Sequence, residues 1–189
     1  MSWPAPVTLK GQHVHVVPLD PSHLDGLKDA AAGLEGLWYT WVPNPAQMEA
    51  DIARRLATQN MCAFTLMTPD GTPMGMTTFM HTDPVNLRVE IGSTWIGKAM
   101  QRSPFNTEAK LLMLQHAFEV LDCIAVEFRT HRLNQQSRRA IERIGAQLDG
   151  VLRNHMVLPN GTVRDTAVYS ITANEWPVTK AHLSQKLGL

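Results

Sequence analysis

Leu87, Val89 and Ile91 alternate with Arg88 and Glu90, the period-two pattern of a half-buried strand, and Gly92-Ser93 interrupts it where a β-bulge fits. From Ser103 the pattern changes. Ser103 is a good N-cap, and Pro104 at the first helical position loses an N–H that would be unpaired anyway, so a helix is predicted to about Leu121. Its polar residues form a narrow stripe of Glu108, Gln115, Glu119 and Asp122, and the rest (Leu111, Leu112, Met113, Leu114, Ala117, Phe118, Val120) requires burial. The β-branched run Ile124 to Phe128 then reads as a strand parallel to the first. Ligands of strand-helix-strand units sit at the strands' carboxyl ends. Beside the helix N-terminus, free N–H groups and the positive dipole end suit a phosphate or pyrophosphate.

A second helix is predicted from the N-cap Asn134 to just before Gly145, with Ala140, Ile141, Ile144 and Ser137 on one face. Ser137 is thereby aimed toward the sheet near the loop end. Earlier in the chain, His13 to Leu19 reads as an edge strand. His13 and His15 share one face of it, either as a solvent-facing pair or as metal ligands. Pro21-Ser22 introduces an amphipathic helix to about Leu34, and another follows Pro45 to about Gln59. Between them lies the densest aromatic stretch, Leu37 to Pro45, with Trp38, Tyr39 and Trp41. Cys62 to Thr68 and Met74 to His81 form a hairpin through Pro69 to Pro73; a strand to about Leu158 and another from Val163 to Ile171 form a second through Asn160-Gly161. A helix from Trp176 to Leu187, interrupted early by Pro177, closes the sequence.

At 189 residues with 44% hydrophobic content the chain suffices for one domain, residues 1–189, with no linker long enough to divide it. A formal net charge of zero gives no indication of a nucleic-acid or anionic-membrane surface. No signal peptide or apolar span is evident, and Cys62 and Cys123, set in apolar strand sequence without metal spacing, suit buried reduced thiols in the cytoplasm.

Glu90-Ile91-Gly92, Gln101 to Lys110, Asn134 to Ser137 and Arg143 to Ala146, in this order and spacing, resemble the GNAT superfamily of acetyl-CoA-dependent N-acyltransferases. The resemblance extends to the Rim-type branch that acetylates ribosomal-protein N-termini, and it covers nearly the whole chain. It implies a mixed α/β acyltransferase fold: a mostly antiparallel sheet splayed at its middle strands, helices on both faces, acetyl-CoA as cosubstrate and no metal. The implied coenzyme contacts are Gln101, Arg102, Ser103, Pro104, Phe105, Asn106 and Thr107 around the phosphates, with the backbone of Thr94, Trp95 and Ile96 and the side chain of Asn134 along the pantetheine. Two departures stand out. Pro104 and Asn106 occupy the usual glycine positions of the phosphate loop, and proline removes one N–H from the cradle. The tyrosine that usually serves as acid after the Asn134 helix begins is also missing.

Acyl transfer to an amine needs a neutral amine, oxyanion stabilisation and a proton for the leaving thiolate. Ser137 is the candidate donor to the sulfur, or else a small polar residue of the first helical turn. Glu90 is the candidate base, or else a partner of Arg88 or of a cross-strand cation. An α-amino group, with a pKa of about 7.7 to 8.0, requires only a weak base. Arg138, Arg139 and Arg143 are within sequence reach of the 3′-phosphate, and Arg138 is also spaced to pair with Glu142. Trp38, Tyr39 and Trp41 wall the acceptor pocket, or pack in the core or a homodimer interface. A cysteine nucleophile has no histidine beside it to activate it. The expected activity is transfer of acetyl to a primary amine by direct attack. A non-catalytic coenzyme-A-binding module and a protein-interaction domain are the two alternatives.

Overall fold

The computed structural model describes residues 3–34 and 36–189. It is a mixed α/β arrangement built on one eight-stranded sheet: β1 (Leu9–Lys10), β2 (His15–Pro18), β3 (Met61–Met67), β4 (Pro73–Asp83), β5 (Arg88–Ile96), β6 (Ala125–His131), β7 (Gln147–Val157) and β8 (Val163–Thr172), in the order β1-β2-β3-β4-β5-β6-β8-β7. The helices are α1 (Leu24–Ala31), α2 (Met48–Ala57), α3 (Pro104–Glu119), α4 (Gln135–Arg143) and α5 (Trp176–Leu187). Every neighbouring pair is antiparallel except β5 and β6, the two strands joined through α3.

Local chemistry sets most boundaries. Ser103 accepts the Phe105 N–H and Pro104 sits in the first turn of α3; Asn134 accepts the Ser137 N–H at 3.1 Å to open α4. Gly145, at φ 99°, ends α4 in a conformation that a Cβ disfavours. Pro177 lies in the first turn of α5 and so starts that helix; it is not the interruption expected from sequence. The first two long helices are shorter than expected, because 3-10 turns at Pro21–His23 and Pro45–Gln47 precede α1 and α2. His13 lies outside β2, so it and His15 do not share a strand face. Leu87, with φ 51°, also lies outside its expected strand. Cys123 precedes β6, while Cys62 lies in β3; both thiols are free and buried.

The bulge at Gly92-Ser93 is present but the strand continues through it. Met76 pairs with Trp95 and Thr78 with Gly92, so β5 carries one residue more than β4 there, and Ser93 takes φ 50°. The extra residue reverses the facing of the rest of the strand. Val89 and Ile91 pack with Phe105, Leu114 and Ile144, whereas Trp95 joins Leu27, Met48, Ile52 and Met76 on the opposite face, beneath α1 and α2. The sheet is therefore covered on both faces.

Just before the bulge, β5 and β6 separate. Their pairing covers Arg88 to Glu90 against Ala125 to Glu127, although β5 runs on to Ile96 and β6 to His131. Beyond Glu90 the β6-facing edge of β5 has no ladder partner among the described residues, which makes the splay a gap in the sheet.

Candidate active site

A cavity of about 1050 Å³ opens at this gap. One end is set by the start of α3. Ser103 and Asn106 line it, and Arg102, exposed and at φ 61°, stands at its edge. Gln101 also lines the cavity and is tied back through Nε2 to the Ile96 carbonyl at 3.1 Å. The carbonyl oxygen of the Asn106 side chain is buried without a hydrogen-bond partner among the described residues. Such a group costs roughly 1–3 kcal/mol until a donor reaches it. Pro104, Phe105 and Thr107 do not line the cavity; Phe105 is core, and its N–H is used by the Ser103 cap.

The walls are Thr94, Trp95 and Ile96 of β5 on one side and Asn134, Ser137, Arg139, Ala140 and Arg143 around α4 on the other. Ser137 is half-buried, and its hydroxyl makes no hydrogen bond among the described residues. Arg138 turns away. Its Nε donates to the Tyr169 hydroxyl at 2.7 Å, and that hydroxyl donates to Glu142 at 2.8 Å, so the expected Arg138–Glu142 pair is bridged by a buried phenol. Tyr169 lies outside the cavity lining and does not replace the missing tyrosine acid.

At the far end Glu90 is 5% exposed. The Nδ1 of His81 lies 2.7 Å from its carboxylate, and Arg129 on β6 pairs with it at 3.5 Å. Arg88 instead pairs with Glu127, so the cross-strand cation is Arg129. Glu90 is thus a buried carboxylate with a polar outlet into the cavity, on the sheet face opposite α3.

Lys110 and His131 are among the lining residues that sequence reasoning passed over. Lys110, one helical turn beyond Asn106, is buried and donates from Nζ to Thr94 at 2.8 Å and to Thr77 at 3.4 Å. Burial lowers its ammonium from the usual lysine range to about 7. A single charge on an apolar helix face was its only sequence signal. His131, at the end of β6, is 4% exposed and packs against Trp38 and Tyr39, with ring centroids 5.4 and 5.2 Å away. The alternation of Glu127, Arg129 and His131 signals this face, but the expected strand stopped at Phe128.

Tyr39 and Trp41 line the cavity; Trp38 does not, and packs behind two residues that do, Tyr39 and His131. With 55% and 60% exposure, Trp38 and Trp41 are not core residues. Neither cysteine lines the cavity, and burial raises the Cys62 thiol to about 11. Among the described residues, no cluster of three or more His, Cys, Asp or Glu is placed to hold a metal ion, and no helix is long and apolar enough to cross a membrane.

The profile of the Acetyltransferase (GNAT) domain family matches residues 13–147. A Bacillus subtilis (strain 168) protein named "Putative ribosomal N-acetyltransferase YdaF" is 28% identical over 175 residues, spanning 87% of this chain and 94% of that protein. The structure of a GCN5-related N-acetyltransferase from Brucella melitensis superposes with a TM-score of 0.88 at 32% identity, over 96% of this chain and 86% of that one. Mycobacterium smegmatis RimJ, solved in complex with CoA-disulfide, shares the fold with a TM-score of 0.76 at 20% identity, over 98% of this chain and 96% of its own. The splayed sheet, the cavity through it and these matches agree: the chain belongs to the GNAT family of acetyltransferases.

Proposed function

We propose that residues 1–189 form one N-acetyltransferase unit that moves an acetyl group from acetyl-CoA to a primary amine by direct attack in a ternary complex. One observation carries this reading: a single cavity joins the N-terminus of α3 on one sheet face to the buried Glu90 carboxylate on the other. Phosphates fit the α3 end, where the helix dipole is positive and Asn106 and Arg102 line the cavity, and Arg139 and Arg143 of α4 lie within the same lining. The free edge of β5 at Thr94 to Ile96 and the side chain of Asn134 border the path a pantetheine arm takes through the gap.

Glu90 takes the proton from the attacking amine, and His81 and Arg129 hold its carboxylate in place. The amine nitrogen bonds to the thioester carbon, the C–S bond breaks, and Ser137 passes a proton to the departing sulfur while taking one from solvent, to which Glu90 releases the amine's proton. The name borne by the Bacillus relative favours a protein N-terminus as acceptor, with Tyr39 and Trp41 lining its entrance. Cys62 and Cys123, free and buried, fit a reducing cytoplasm, and the exposed Trp38 and Trp41 give a homodimer one surface to use.

The test is a panel of peptide N-termini, amino acids and polyamines incubated with acetyl-CoA, read as free thiol released. Turnover of a peptide amine supports the reading. Acetyl-CoA binding without turnover of any amine points to a non-catalytic coenzyme module, and absence of coenzyme binding to an interaction domain.

A further inference from the structure

His131 is held in one tautomer. Its Nδ1 accepts the Leu133 N–H at 3.0 Å, so in the neutral ring the proton sits on Nε2. That Nε2–H is buried, has no hydrogen-bond partner among the described residues and belongs to a residue lining the cavity. Burial, and then the charges of Arg164 and Arg132, lower the ring's pKa, which keeps it a neutral donor. Trp38 and Tyr39 pack against it, so the ring is fixed in place.

Arg164 lies beside it. His131 pairs with Thr166 across β6 and β8, and Arg164 stands two residues along the same face, its Nε donating to the Thr166 hydroxyl at 2.9 Å. Arg164 also lines the cavity. No carboxylate forms an ion pair with it among the described residues, and Glu90 is the acid whose charge it feels. Arg129 differs, being paired with both Glu90 and Glu127. The face next to Glu90 therefore presents a neutral donor without an acceptor and a half-buried guanidinium without an ion pair. A carboxylate satisfies both, through a hydrogen bond from imidazole and a charge-assisted one from guanidinium.

We propose that His131 and Arg164 form an acceptor subsite for a carboxylate, so that the preferred substrate is an amine that carries a carboxylate close to it. The proposal rests on the N-acetyltransferase reading. The carboxylate comes either from the main chain of a free amino acid or from an acidic side chain near a peptide N-terminus.

Two acid–amide pairs distinguish these sources: glycine against glycinamide, and the peptide Ser-Glu-Ala-Ala against Ser-Gln-Ala-Ala. Each is measured at saturating acetyl-CoA for KM and, with coenzyme A present, for Kd by calorimetry. In the wild type the acid member of one pair is preferred about tenfold or more, and that pair identifies the source. The preference falls below about threefold in Arg164→Gln and in His131→Phe and is partly kept in Arg164→Lys. Comparing each variant's preference with that of the wild type cancels the difference in amine pKa within a pair. Should His131→Phe fail to fold, Arg164→Gln decides alone. Absence of an acid preference in both pairs, its persistence in the variants, or failure of every acid probe to bind overturns the subsite. Failure of acetyl-CoA itself to bind is a separate result that overturns the acetyltransferase reading, and probe titrations without coenzyme then still test the carboxylate site.

Discussion

Lys110 Nζ donates to Thr94 Oγ1 at 2.8 Å, joining α3 to the residue of β5 that succeeds the bulge. The contact ties the helix whose N-terminus faces one end of the cavity to the strand edge that walls it. Holding a lysine there at a lowered pKa has a stability signature. The folded state gives up the proton at about 7, whereas an unfolded lysine keeps it to about 10.4, so between these values the unfolded chain binds more protons and folding stability rises with pH. Below about 7 both states are protonated and this contribution no longer changes. Urea unfolding at pH 7.5, 8.5 and 9.5 should show a component of about 1 kcal/mol per pH unit in the wild type that is missing in Lys110→Met. Parallel pH profiles for the two proteins would mean that Lys110 titrates normally.

Glu108 supports a different part of the fold. Its carboxylate accepts the N–H groups of Gln12, His13 and Val14, at 2.6 to 2.9 Å, and thereby anchors the β1–β2 turn to α3. A Cβ on Gly11 would lie 2.4 Å from that carboxylate, so the turn needs glycine at this position. Glu108→Ala leaves three donors without their acceptor and is expected to cost about 3 kcal/mol or more. Gly11→Ala should destabilise in the same direction. Denaturant midpoints for both variants check this, and a loss under about 1 kcal/mol for Glu108→Ala would show that water replaces the carboxylate.

Glu108 also shows where sequence reading stopped. By helical spacing it joined Gln115, Glu119 and Asp122 in a polar stripe, yet it is 2% exposed, because its partners lie some ninety-five positions earlier in the chain. Features governed by neighbours a few residues away were legible: the Ser103 and Asn134 caps, the Gly92-Ser93 bulge and the Asn160-Gly161 turn. Lys110, Arg129 and Arg164 were not. Lys110 and Arg129 take their meaning from partners on β5, Thr94 and Glu90, and Arg164 from the β8 register that sets it beside His131; none of these placements can be read from one element's own periodicity. Pro104, Phe105 and Thr107 failed as cavity residues for a simpler reason: side chains of a helix's first turn fan out in different directions, so Phe105 enters the core and Pro104 faces outward while Ser103 and Asn106 border the cavity.

Acetyl-CoA at millimolar concentration should raise the melting temperature, since a ligand that binds only the native state stabilises by mass action. Asn106→Asp tests where its phosphates lie. The Asn106 side chain borders the cavity at the positive end of α3, and a carboxylate there opposes an incoming pyrophosphate. The dissociation constant is expected to rise about tenfold or more, with the difference shrinking at high salt. Equal affinities in the two proteins would place the phosphates elsewhere.

Ser137 is where the mechanism is most exposed to test. Its N–H is committed to Asn134, but its hydroxyl borders the cavity without a partner among the described residues, which leaves it available to a sulfur in the gap. A contact that strengthens only as thiolate develops contributes to kcat and little to ground-state binding. Ser137→Ala should therefore lower kcat by about a hundredfold while the acetyl-CoA dissociation constant stays within about twofold. Glu90→Gln serves as the comparison. It keeps the side-chain shape beside Arg129 but cannot take a proton, and its defect should diminish as pH rises above about 8, where the amine is already neutral. The loss in Ser137→Ala should persist there, because a less acidic medium makes the leaving thiolate no better supplied with protons. Wild-type kcat in Ser137→Ala across pH 7 to 9, with only a small drop in melting temperature, would reduce Ser137 to a first-turn serine and leave water as the proton source.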